Sequence, residues 1–149
     1  MKITTASDDV IEYVSKIFEQ MGLNNYVEFR VLNNESQKCL ITSAKASGTV
    51  EHFAKASPCV VVYVNEELWY LLDDDEKREM LVKDALNGVY YDTEKEKLFV
   101  EKPQINVSLG TWQKYGVKLL EAAETVVLMQ QQIEEKKREE REAKKKAKK

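Results

Sequence analysis

CVVVYV, residues 59–64, runs straight into NEELWYLLDDDEKREMLVKDALNGVYYD, residues 65–92, and the reading of this passage decides the fold. The first six residues are β-branched or otherwise apolar at odd and even positions alike. A strand without a polar face belongs in the centre of a sheet, covered on both sides. Residues 66–72 then read as a helical turn carrying Leu68, Trp69 and Leu72. Asp73 is placed to cap the next helix, with Glu76 three residues on as its capping-box partner. Glu79 and Lys83 stand four apart with the acid first, which is the favourable order on a helix. Met80, Leu81, Ala85, Leu86 and Val89 supply the expected buried stripe, and Gly88 is expected as a left-handed cap.

Upstream, Ser7 followed by Asp8 and Asp9 is an N-cap and an acidic first turn. Val10, Ile11, Val14, Ile17, Phe18 and Met21 recur at helical spacing, so a helix is expected over 8–21, closed by Gly22. Asn24-Asn25 makes a turn. In YVEFRVL, residues 26–32, Val27, Phe29 and Val31 alternate with Glu28 and Arg30, as in a half-buried strand. Asn33-Asn34 signals a hairpin into CLITSAKA, residues 39–46. Ser47-Gly48 breaks that strand, and Pro58 introduces the next. Downstream, KLFV, residues 97–100, reads as a short strand that Pro103 ends. The expected order is α-β-β-β-α-α-β-α. That is an α+β domain, with a small mixed sheet of about three or four strands packed against helices.

The C-terminal part is a helix beginning near Ser108 or Thr111. Its apolar positions are Trp112, Tyr115, Leu119, Ala122, Val126, Met129 and Ile133, spaced alternately by three and four, which is a heptad seam. Leu120, Ala123 and Val127 widen its first part, which needs a facing surface on the domain or on another chain. Residues 1–107 are therefore expected as the α+β domain, 108–133 as an amphipathic helix, and 134–149 as a charged helical or disordered tail. That tail holds nine Lys/Arg against five Asp/Glu, leaving +4; the whole chain is −3, so the first 133 residues carry −7. An acidic body argues against broad nucleic-acid binding by the folded part. The tail reads either as a solubilising extension or as an arm whose Lys144, Lys145, Lys146, Lys148 and Lys149 contact nucleic acid.

With 149 residues and 43% apolar content the chain supports one modest core. It has no long apolar run, and MKITTASDDV lacks a hydrophobic signal region, so an intracellular location without membrane association is expected. Cys39 and Cys59 sit in apolar strand-like runs without CxxC spacing, and are expected as buried thiols. Tyr90-Tyr91 are expected in the core with Trp69. The five glycines do not cluster, and no phosphate-cradling loop or G-x-S-x-G elbow is present. His52 is the single histidine. A zincin site needs two histidines at i and i+4 on one helix, with a glutamate beside the first to polarise the zinc-bound water. One histidine cannot build it. Cys39 or Cys59 with His52 remains as a minor nucleophile–base alternative.

The segment VVVYVNEELWYLLDDDEKREMLVKDALNGVYYD resembles the phage metallopeptidase family, a set of small zincin-like proteins. The family pattern runs from a strand to a Trp-containing turn and an acid-rich cap. A helix of the form ALLxHELxH follows, then Asp in a short loop. Residues 60–65 match the strand, Trp69 the tryptophan, residues 73–77 the cap, and Met80-Leu81-Val82 the apolar lead-in. The family's first ligand then falls on Lys83, its general base on Asp84 and its second ligand on Asn87. Tyr91-Asp92 and KEKLFVEKPQI look like the family's following hairpin, with a third ligand or acidic residue expected near residues 102–104. The resemblance covers residues 60–115. It implies a zincin-like domain in a bacteriophage protein of the host cytoplasm or the virion. With both ligand histidines replaced, it implies a pseudo-metallopeptidase with no catalytic residue, metal or cofactor. Such a protein acts as a structural or protein-interaction module. Its expected partners are other phage or host proteins meeting the C-terminal helix, with self-association open. A nucleic-acid accessory role through the tail is the alternative, and an unconventional hydrolase the third reading.

Overall fold

The computed structural model describes residues 2–46 and 59–148. The expectations placed on Ser47, Gly48, His52, Pro58 and Lys149 lie outside the described residues. The chain divides into two compact units, Met1–Lys102 and Pro103–Lys149.

The first unit is built on a four-stranded mixed sheet in the order β1-β2-β4-β3. Its strands are β1 (Ile3–Thr5), β2 (Glu28–Asn34), β3 (Ile41–Lys45) and β4 (Cys59–Val64). β4 is interior, parallel to β2 with Val31 opposite Val62, and antiparallel to β3 with Ile41 opposite Val64. Its two faces are used as the sequence requires. Val60, Val62 and Val64 join the main core, while Cys59 and Val61 pack with Ala46 on the other side. Helix α1 (Asp8–Gln20) lays Val10, Val14, Ile17 and Phe18 into the main core at helical spacing, and Gly22 ends it in the left-handed region at φ 73°.

Several local expectations are corrected. Asn33-Asn34 is not a hairpin turn, because both residues belong to β2. The Asn34 side chain accepts the Ser36 N–H at 3.1 Å, so the chain turns just beyond the pair, and β3 pairs with β4 rather than β2. β1, only three residues long, carries too little pattern to be read in advance; it pairs antiparallel with β2. Cys39 is exposed, while Cys59 is buried as expected.

After β4, Asn65 caps the short helix α2 (Glu66–Leu71), which buries Trp69. Helix α3 (Asp75–Leu86) is capped by Asp74, not Asp73: the Asp74 carboxylate accepts the Lys77 N–H at 3.1 Å. The expected stripe is rotated. Val82 and Leu86 are buried and Ala85 packs against the core, while Met80 and Leu81 are exposed. Val82 and Leu86, one turn apart on the helix, join the main core, and Val89 enters it from the strand that follows. Strands β5 (Val89–Asp92) and β6 (Lys97–Val100) form a separate two-stranded hairpin, with Val89 opposite Val100. β5 was not separated from the preceding helix by its own pattern. Tyr90 is exposed and stacks on Phe99 at 5.0 Å, while Tyr91 is partly buried, so the pair is not the core element expected. Gly88 is not left-handed. Its role is close approach: a Cβ there would overlap the Glu101 carbonyl oxygen, whose residue also donates its N–H to the Gly88 carbonyl at 2.8 Å.

The second unit holds helices α4 (Leu109–Tyr115) and α5 (Val117–Ala147). The expected single helix is broken at Gly116, whose φ of 59° and ψ of −135° are open only to glycine. Ser108 is the N-cap position of α4, one of the two starts expected. The tail from residue 134 to 147 is helical, and every residue in it except Ala143 and Ala147 is charged.

Candidate functional site

Two places carry the sequence-derived candidates: the outer face of α3, and the C-terminal unit. On α3, Lys83, Asp84 and Asn87 are all exposed, on the side turned away from Val82 and Leu86. The Lys83 ammonium lies 2.7 Å from Glu79 Oε1, and this hydrogen-bonded cation holds the Glu79 carboxyl below its ordinary value. The arrangement does not fit a zinc ion. The position matching the first ligand is a cation already engaged by a carboxylate, and the Asn87 N–H closes the helix by donating to the Asp84 carbonyl at 3.3 Å. Among the described residues no three His, Cys, Asp or Glu side chains come together as metal ligands would.

The chemistry on this side of the fold that sequence reading missed is structural. The Arg78 guanidinium lies 5.0 Å from the Trp69 ring centroid and 6.0 Å from that of Tyr13, and the two rings meet edge to face at 5.1 Å. Its Nη2 donates to the carbonyls of Trp69 (3.1 Å) and Leu72, and its Nη1 lies 3.6 Å from an Asp75 carboxylate oxygen. The fork thereby ties the end of α2 to the start of α3 and to α1. The Tyr13 hydroxyl is pushed up to about 12, by burial first and then by the Asp75 side chain. Arg78 sits in an acidic run, DDDEKREM, which reads as a solvated cap unless the packing partner is known.

A second polar cluster closes the ends of the parallel strands β2 and β4. Asn33 and Asn65 are the buried polar residues there. Asn65 accepts the Leu68 N–H at 3.2 Å and donates to the carbonyls of Gln37 at 2.9 Å and Glu35 at 3.4 Å. Asn33 accepts the Glu66 N–H at 3.1 Å. Glu66 in turn accepts the Ser7 N–H at 2.5 Å and its hydroxyl at 3.2 Å. Ser7 therefore does not cap α1 through its side chain, as its position suggested. Each of these groups is satisfied by another chain group, so the cluster reads as a clamp on three connections.

In the C-terminal unit the seam residues are divided by Gly116: Trp112 and Tyr115 on α4; Leu119, Ala122, Val126, Met129 and Ile133 on α5. No residue of α5 is buried, and Val126, Met129 and Ile133 are 54%, 55% and 51% exposed. Residues 106–108 and Thr111 border a shallow groove of about 380 Å³ whose other wall is Leu119, Ala122, Ala123 and Val126. Lys144, Lys145, Lys146 and Lys148 stand exposed at the end of α5, where a cationic turn suits the helix dipole. No helix among the described residues is long and apolar enough to cross a membrane.

No family model, curated protein or solved structure matches this chain. The phage metallopeptidase resemblance therefore rests on the residues quoted for it. On α3 the ligand and base positions Lys83, Asp84 and Asn87 are exposed, and Lys83 is ion-paired with Glu79.

Proposed function

We propose that this chain is a non-catalytic protein-interaction module whose contact element is α5. The observation that carries the reading is the row Val126, Met129 and Ile133, at heptad spacing and each more than half exposed. A solvated helix gains nothing from such a row, whereas a facing helix or groove buries it. The setting as a bacteriophage protein, virion component or infection accessory, with a zincin-like scaffold behind it, rests on the resemblance across residues 60–115. The non-catalytic assignment is supported by the single histidine, which forbids the two-histidine zinc motif. The test is recovery of partners from infected cells, or presence in purified particles, by the intact chain and by Val126→Asp/Met129→Asp. A partner retained by the first and lost by the second supports the reading; equal retention by both sinks it.

A nucleic-acid accessory role is the second reading, favoured by the exposed lysines that close α5. Deleting residues 134–149 should then abolish retention on DNA or RNA at low salt. Unchanged retention removes this reading and leaves the first untouched.

A further inference from the structure

We propose that Gly116 is a hinge at which α4 and α5 can join into one straight helix, so that the bent arrangement is one of two states of the C-terminal unit. The first observation is periodicity. Trp112 and Tyr115 keep the same three-and-four spacing as Leu119 to Ile133, with no slip across Gly116. Each helical residue adds about 100° of rotation, so a shared phase has meaning only along a continuous helix. A bend frees the two halves from any common phase, and the bent state gives no reason for it to persist.

The second observation is how little separates the two states. The Gly116 N–H donates to the Trp112 carbonyl at 2.7 Å, the normal bond of a continuing helix, and the Leu119 N–H donates to the Gly116 carbonyl at 3.1 Å. Helical residues lie directly on both sides. Only the two backbone angles of one glycine depart. A Cβ at position 116 would meet nothing within 4 Å, so the position demands glycine for its torsion angles and not for space.

The two states present different surfaces. In the bent state, Asn106, Val107, Ser108 and Thr111 flank the first turns of the seam and share a groove with Leu119, Ala122 and Val126. In the straight state that flank is withdrawn. Trp112 to Ile133 then form one apolar stripe about 32 Å long, at about 1.5 Å per residue. The hinge thus regulates how much of the seam is offered, which rests on the reading of α5 as the contact element. The experiment below uses no partner, so the hinge can fail while that reading stands.

The distance between nitroxide labels at Val107→Cys and Val126→Cys is measured by pulsed electron resonance in the full chain, with Cys39→Ser. Cys59, buried in the sheet, is shielded from the label. Both labelled positions line the groove in the bent state, whereas a straight helix from Leu109 would put about 26 Å of axis between Leu109 and Val126, with Val107 beyond its N-cap. The unaltered hinge is expected to give a short distance with a minor population near the long one. Gly116→Ala should raise the ratio of long to short about tenfold or more, because an L-residue resists those backbone angles. Gly110→Ala, inside α4 with room for its Cβ, should leave the ratio unchanged. A Gly116→Ala chain that keeps the short distance overturns the proposal. So does one that loses helix content without populating the long distance, or an equal shift from Gly110→Ala.

Discussion

Arg78 holds Trp69 twice, through its guanidinium stacked 5.0 Å from the ring centroid and through a hydrogen bond of 3.1 Å to the Trp69 carbonyl. One side chain thus satisfies the carbonyls that end α2 while covering the ring that α2 buries. Replacing Arg78 by Met keeps much of the apolar stem but leaves the Trp69 and Leu72 carbonyls without their donor. The expected loss is about 2–4 kcal/mol of unfolding free energy, read from urea denaturation. A change within a few tenths would mean that water serves these carbonyls equally well.

Asn65 ends β4, caps α2 and holds the Glu35 and Gln37 carbonyls at once. Asn65→Ala loses the cap and strands buried acceptors, so about 2–4 kcal/mol should be lost. Asp restores the acceptor for Leu68 but not the donors. Asn65→Asp is therefore expected to recover only part of the stability, and full recovery would show that the cap alone matters.

Gly88→Ala places a methyl group against the Glu101 carbonyl and should push β6 away from the start of β5. A loss of about 1–3 kcal/mol is expected by thermal unfolding. Gly110→Ala, where space is open, should be neutral or slightly stabilising on the same measurement.

Tyr13 gives the fold a specific alkaline weakness. Burial and the Asp75 side chain push its hydroxyl up to about 12 in the folded state, from an ordinary value of about 10. The native state thus keeps a proton that the unfolded chain has released. The stability from this group is complete below pH 10 and falls as pH rises from about 10 to about 12. Unfolding followed across that window should decline for the native chain and decline less for Tyr13→Phe. Equal slopes would remove Tyr13 as the cause.

The face with Lys83, Asp84 and Asn87 shows how local pattern and tertiary packing divide the information. The Glu79–Lys83 pair is legible because i,i+4 geometry is fixed by the helix itself, and it forms at 2.7 Å. The rotation that buries Val82 and exposes Met80 and Leu81 was not legible. Met80, Leu81, Val82, Ala85 and Leu86 offer apolar side chains on more than one side of α3, and only the sheet selects among them. Asp73 and Asp74 are equally good caps in sequence, and only the fold shows that Asp74 takes the Lys77 N–H.

The amino-acid order alone determined the elements whose signal is local. β4 declares itself by an apolar run on both faces and α1 by its period and its glycine stop, whereas the charged end of α5 reads as a helix or a disordered tail until the structure shows it helical. The count of one histidine likewise excludes a two-histidine metal motif before any packing is known. Tertiary structure decided what depends on distant partners. It placed β3 beside β4 rather than β2, gave Arg78 and Asn65 their acceptors, and set Gly88 against Glu101. It also put two glycine torsions between halves of a seam that reads as unbroken. Periodicity records which residues share a face if a helix continues. Whether it continues is settled by the free energy of one backbone position and the surfaces on either side of it.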